Sequence, residues 1–308
     1  MFRTVRVDPT KAESLEQLGT KRKYWFTDDQ NRRVLFKAEE RGTGEDWAEK
    51  LACELAELLG LPHVHYELAE EQEKQGNSKP GVVCANCAPP PWSLIMGNEL
   101  LLARDPAHPS DSGRKYKVRE HTVEAVAEVV SKLELPPEPW RAVLPPGITS
   151  ALDVFVGYVM LDAWIANQDR HHQNWAALDD GKSRYLCPTF DHAASLARNL
   201  NDTERQERLN TRDGNRQIPA FVRKARSAFY AQPTDAKPLG TYEAWRAFAA
   251  LSPSAETTWL ERLRAIGEDD VARLVAEVPA GRMSAVCREF TQRLLQENKK
   301  RLLEGTGT

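Results

Sequence analysis

Cysteine is scarce in this chain: five residues in 308, Cys53, Cys84, Cys87, Cys187 and Cys287, an odd number scattered along the length. A chain this long needs no covalent staples to bury a core, so the pattern excludes a disulfide scaffold and predicts reduced thiols in a cytoplasmic protein. Cys84 and Cys87 form a C-x-x-C, but no second ligand pair follows at finger or ribbon spacing. They read as ordinary half-buried thiols. Also missing is any window with the roughly 20 apolar residues of a membrane span, and the opening MFRTVRVDPTKAESLEQLG has no apolar signal core. Neither sign of charge is in large excess: the formal net charge is -3, with 28% charged residues, which removes any global electrostatic reason to expect direct nucleic-acid or membrane binding. Internal repeats and low-complexity tracts are absent as well.

What is present divides in two. The stretch KRKYWFTDDQNRRVLFK predicts a hairpin, with strands Tyr24–Phe26 and Val34–Phe36 around a polar turn. RGTGEDWAEKLACELAELLG predicts a helix: Leu51, Leu55, Leu58 and Leu59 recur at helical spacing, acids crowd the start and Gly60 marks the stop. Strands are expected at Val64–Leu68 and Val82–Cys84, and APPPW then interrupts regular structure. Beyond the polar segment RDPAHPSDSG the period becomes helical, at His121–Leu133, at Ser150–Ala166, which is apolar nearly all round, and in four or five amphipathic helices from Ala220 onward. The expected organisation is α+β and bilobal: residues 1–92 a small strand-rich lobe, 93–308 a larger helical one, with a cleft between them suited to a ligand.

The richest chemistry lies in NQDRHHQNW, residues 167–175, directly after the apolar helix. Asp169 and Asn174 are five residues apart, and a short turn and a strand, Tyr185–Thr189, lead to Phe190-Asp191. Phosphoryl transfer needs such a set: a carboxylate to orient a hydroxyl and accept its proton, and an amide oxygen plus a second carboxylate to hold magnesium on the phosphates. The five-residue interval matches the kinase catalytic-loop pattern, although Arg170 and His171 follow the acid here instead of preceding it.

These motifs resemble a known family. NQDRHHQN followed by LCPTFDHAASL looks like the catalytic segment of HipA-like serine/threonine kinases of bacterial toxin–antitoxin systems, and D-R-H-x-x-N is shared with phosphoinositide-kinase-like enzymes. VLFKAEERGTGEDWAEKLACELAELLGL is similar to the family's strand lysine, loop and glutamate-bearing helix, so the likeness covers roughly residues 19–200. The resemblance implies a protein-kinase-like fold and ATP- and Mg2+-dependent phosphotransfer to a protein substrate. It implies Lys37 on the ATP phosphates, Glu49 paired with Lys37, Asp169 as catalytic base, and Asn174 and Asp191 as magnesium ligands. It places the backbone of Val83 and Ala85 at an interlobe hinge near adenine. Gly19–Lys23 stands where a phosphate-covering loop belongs; it has one glycine, so Lys21 and Lys23 become the candidate phosphate donors. An antitoxin-like regulator is the partner implied, while the family's additional N-terminal subdomain is expected to be missing before Lys37.

Other readings compete. The same fold could phosphorylate a lipid head group or a small hydroxylated molecule, and the glycine-poor loop fits a nucleotide-binding pseudokinase. His171, His172, His192 and Cys187 lack finger spacing, so one of the two adjacent histidines is expected to be buried and the other exposed. Arg205, Arg208, Arg212 and Arg216 recur at helical spacing and could form an anion-binding row or a solvated, acid-compensated face. Trp140, Trp164, Trp175, Trp245 and Trp259 are expected in the core or at the lobe interface.

Overall fold

Alternation along strands decides which side chains of this chain meet the cleft. The structure, a computed structural model, describes residues 1–16, 22–72, 78–109 and 117–305. It opens with β1 (Thr4–Val7), β2 (Ser14–Leu15), β3 (Lys23–Thr27) and β4 (Arg33–Ala38), followed by helix α1 (Glu45–Leu59) and strands β5 (Tyr66–Gln72) and β6 (Ser78–Ala85). These strands form one sheet in the order β1-β5-β6-β4-β3-β2. The predicted hairpin is β3–β4, in register Lys23 to Lys37, and Asp28 closes its turn by accepting the backbone N–H groups of Gln30 and Arg32. β1 escaped the sequence reading: it pairs in parallel with β5, Thr4 opposite Leu68, a partnership with no local signal.

Successive residues of a strand point to opposite faces. On β4, Val34, Phe36 and Ala38 join Tyr24, Phe26 and Val83 in an outer core cluster, while Leu35 packs toward α1 and Lys37 enters the cleft. Close pairing of β6 on β4 requires Gly81: a Cβ there would lie 2.4 Å from the carbonyl oxygen of Lys37. Helix α1 buries Leu51, Leu55 and Leu59 and ends where Gly60, at φ +75°, turns left-handed and donates its N–H back to Glu57.

The remainder is mostly helical. β7 (Ser93–Met96), α2 (Gly97–Arg104), α3 (Val123–Val130) and α4 (Ala151–Ile165) precede β8 (Ala176–Asp179) and β9 (Arg184–Leu186). There follow α5 (Asp202–Asn210), α6 (Ile218–Val222), α7 (Thr241–Ala249), α8 (Pro253–Ala265), α9 (Glu268–Glu277) and α10 (Ala285–Glu304). β7, β8 and β9 form a small antiparallel sheet. At the centre lies α4, capped by a reciprocal Ser150–Asp153 pair, with α7, α8 and α10 packed around it. Trp164, Trp175, Trp245 and Trp259 are buried, and Trp140 is partly buried against the small sheet. Among the described residues no helix is long and apolar enough to cross a membrane.

Two expectations are corrected. The arginine row does not exist as one helical face, because α5 stops at Asn210 and leaves Arg212 and Arg216 beyond it. Arg205 is buried on Asp202 and the Arg198 carbonyl, and Arg216 pairs with Glu207, so these two cations are neutralised internally. His171 and His172 are both buried, where one had been expected in solvent. His172 Nδ1 lies 3.0 Å from His108 Nε2, and the ring of His172 meets that of His121, in a packed imidazole group beneath the loop.

His121 makes this group acid-sensitive. Its Nδ1 hydrogen-bonds the Ala228 carbonyl, and its Nε2 accepts the indole N–H of Trp175, so the neutral ring is fully used. Burial, chiefly, lowers its pKa from 6.5 to about 3. A folded-state pKa below the unfolded value means the stabilisation is complete above about pH 6.5 and is lost progressively toward about 3, because only the unfolded chain takes the proton. From this residue alone, stability should drop by about 2 kcal/mol between pH 7 and pH 5. Urea midpoints at the two pH values measure it, and His121→Gln should flatten the difference.

Candidate active site

Lys37 projects from β4 into a cleft of about 1440 Å3 bounded by the sheet, α1 and the loop after α4. Its Nζ lies 3.1 Å from Tyr66 Oη, 3.4 Å from Asp191 Oδ1 and 3.9 Å from Glu49 Oε2. Burial, the largest influence on this amine, works to discharge it, but the nearby carboxylates of Asp191 and Glu49 outweigh it and the pKa is raised. The ammonium is therefore held charged across the neutral range. Glu49, fully enclosed, also accepts the backbone N–H of His192 at 2.7 Å, so one carboxylate on α1 holds both the strand lysine and the backbone just after Asp191. Asp191 sits at φ +60°, a left-handed conformation that aspartate tolerates better than most residues and that is often retained at functional sites.

The loop after α4 is built around one buried acid. Asp162, in the last turn of α4, receives a two-pronged bond from the guanidinium of Arg170, Nε to Oδ2 and Nη2 to Oδ1, each 2.8 Å. The third nitrogen, Nη1, donates to the Asn174 carbonyl at 2.8 Å, and Asn167 Nδ2 donates to Asp162 Oδ1 at 2.8 Å. Both ends of the loop are thus tied to α4. Between them, Asn174 Nδ2 donates to the Asp169 carbonyl at 2.6 Å, which commits the amide nitrogen and leaves the amide oxygen as the atom able to ligate a hard cation. The Asp169 carboxylate faces the cleft, 3.8 Å from His171 Nε2, while His171 Nδ1 accepts the Gln173 N–H.

Of the residues singled out from sequence, Lys23, Lys37, Glu49, Ala85, Asp169, Asn174 and Asp191 all line this cleft. The side chain of Val83 does not: strand alternation turns it into the outer core cluster. Lys21 lies outside the described residues. Arg22, its neighbour, is engaged by Glu71 at 2.6 Å. The sequence reading missed Tyr66, Asp162, Arg170 and Arg198. Arg198 bridges the segment after Asp191 to the start of α1, binding Glu45 at 2.6 Å as well as Thr43 and the Ala193 carbonyl. A usable signal existed for Asp162, since a lone acid near the end of an otherwise apolar helix requires a buried partner. Cys84 of the C-x-x-C belongs to the main core, and burial pushes its thiol up to about 12.

No protein-family model matches this sequence, and no curated protein matches it. Solved structures do. The crystal structure of the Helicobacter pylori proinflammatory kinase CtkA aligns with a TM-score of 0.71 at 18% identity, over 98% of this chain and 96% of that one. HipA of Shewanella oneidensis MR-1, solved with HipB and operator DNA, aligns with a TM-score of 0.57 at 10% identity, over 94% of this chain and 65% of the HipA chain. At such identities the likeness is one of fold. The chain has a HipA-like, bilobal protein-kinase-like α+β fold, as expected from its residues.

Proposed function

We propose that the chain is an ATP- and Mg2+-dependent phosphotransferase acting on serine or threonine hydroxyls of a protein substrate. The observation that carries this reading is the meeting of Lys37, Glu49 and Asp191, residues from a strand, a helix and a distant loop, within 4 Å in a cleft that Asp169 and Asn174 also line. In it, Lys37 binds and orients the inner phosphates, with Glu49 keeping its chain extended. Asp169 orients the acceptor hydroxyl and takes its proton as the oxygen attacks the terminal phosphorus and the bond to the ADP oxygen breaks. Asn174 and Asp191 would hold magnesium, which when bound offsets phosphate charge. Lys23 would contact the phosphates, and the backbone at Val83–Ala85 would meet the base. The lobe boundary after residue 92 and a cytoplasmic location belong to the same proposal. So does an antitoxin-like regulator, suggested by the HipB bound to the HipA relative.

Thermal shift tests the binding half. Mg-ATP should raise the melting temperature, ATP without a divalent ion should do so less, and Asn174→Ala or Asp191→Asn should weaken Mg-dependent binding by at least about tenfold. Labelled ATP supplied to a cell extract, resolved into protein and small-molecule fractions, then distinguishes a protein acceptor from a lipid head group or metabolite. Absence of both a Mg-ATP shift and ATP turnover would end the proposal; a shift without turnover would leave a pseudokinase.

A further inference from the structure

Next to the cleft, one turn along α1 from Glu49 and on residues that do not line it, a thiol and two imidazoles converge. Cys53 lies on α1 one turn beyond Glu49, and the chain leaves the helix through Gly60 into Leu61-Pro62-His63-Val64-His65, just before β5. Alternation along this extended segment lets His63 and His65 address the same side. Cys53 Sγ and one nitrogen from each ring lie within 4.8 Å of one another.

The hydrogen bonds set the tautomers for ligation. His63 Nδ1 is 2.7 Å from the Leu61 carbonyl and must donate to it, which leaves a lone pair on Nε2. His65 Nε2 is 2.9 Å from Glu67 Oε1 and donates there, leaving Nδ1 as the acceptor nitrogen, 3.8 Å from Cys53 Sγ. Histidines bound to a metal through one nitrogen ordinarily give the other N–H to a carbonyl or carboxylate, and both rings already do so. A further oxygen is at hand: Glu57, one turn beyond Cys53, places Oε2 3.5 Å from His63 Nε2. The site opens to solvent, since the side chains of His65 and Glu57 are 61% and 67% exposed.

We propose that Cys53, His63 and His65 form a transition-metal site that takes zinc, with Glu57 or a water as the fourth ligand. A thiolate and two imidazoles favour Zn2+ over Mg2+ or Ca2+, which seek oxygen, so this site does not compete for the magnesium of the cleft. On binding, the Cys53 thiol gives its proton to solvent and its sulfur lone pair to the ion, while the histidines bind neutral. The ion would fasten α1, which carries Glu49, to the approach of β5, which carries Tyr66.

The test uses the full chain stripped with a chelator and titrated with Co2+ or Zn2+ alone. One Co2+ per chain should give tetrahedral d–d absorption together with a thiolate-to-cobalt charge-transfer band, and Cys53→Ser should abolish that band. Zinc should raise the melting temperature by about 5 °C at a hundredfold excess over its dissociation constant. His65→Ala should weaken zinc binding by at least about 100-fold. Because His65 is exposed, that variant decides the matter even if Cys53→Ser fails to fold. No charge-transfer band in the wild type, or a zinc response unchanged in His65→Ala, overturns the site.

Discussion

Asp169→Ala should lower phosphoryl transfer by about a thousandfold, the scale of a lost general base, while the melting temperature hardly moves. Its carboxylate faces the cleft with its side chain 23% exposed, so removal opens no cavity in the core. The effect should fall on kcat, because the groups proposed to hold nucleotide, Lys37, Asn174 and Asp191, are untouched. Mg-ATP binding by Asp169→Asn should remain within about threefold of wild type, a difference too small to suggest a lost ligand. A variant that turned over ATP at the wild-type rate would remove Asp169 from the mechanism, and one that lost binding and turnover together would make it a structural residue.

The adjacent residue should behave in the opposite way. Arg170→Ala is expected to cost about 4 kcal/mol of stability, a fall in melting temperature of about 6 °C, because it leaves the Asp162 carboxylate buried without its counter-charge. Arg170 is 1% exposed, and burial, which would discharge it, is outweighed by Asp162, so its pKa is raised. Three nitrogens of its guanidinium are used at 2.8 Å, two on Asp162 and one on the Asn174 carbonyl, a geometry lysine cannot reproduce. Arg170→Lys should therefore rescue little. The double variant Arg170→Met with Asp162→Leu should recover part of the stability, since an apolar pair removes the orphaned charge. It should not recover activity, because the Asn174 end of the loop loses its tie to α4. Paired denaturation curves and turnover rates measure both halves.

Neighbouring positions with such different expected signatures show what local pattern can and cannot carry. The hairpin, α1 and α4 were legible because their signals are short-range: strand alternation, leucines at helical spacing, a glycine stop, and a continuous apolar run. Asp169, Asn174 and Asp191 stood out by type and interval, since few other uses gather such oxygens after an apolar helix. The burial of both histidines was not legible, because imidazoles are equally at home in solvent and in a hydrogen-bonded core. The end of α5 at Asn210 also went unseen; spacing alone continues the arginine row through a stretch, TRDGN, that turns.

Residue order and type by themselves determined the β3–β4 hairpin, helices α1 and α4, and the α+β class of the fold. Tertiary structure alone decided that Lys37 meets Asp191, 154 positions away, that β1 joins β5, and that Cys53 faces His63 and His65. The reason is physical: helix periods, caps and turns act over a few residues, whereas the approach of distant charges is set by how whole faces pack. That packing minimises exposed apolar area and unpaired buried charge over the entire chain at once.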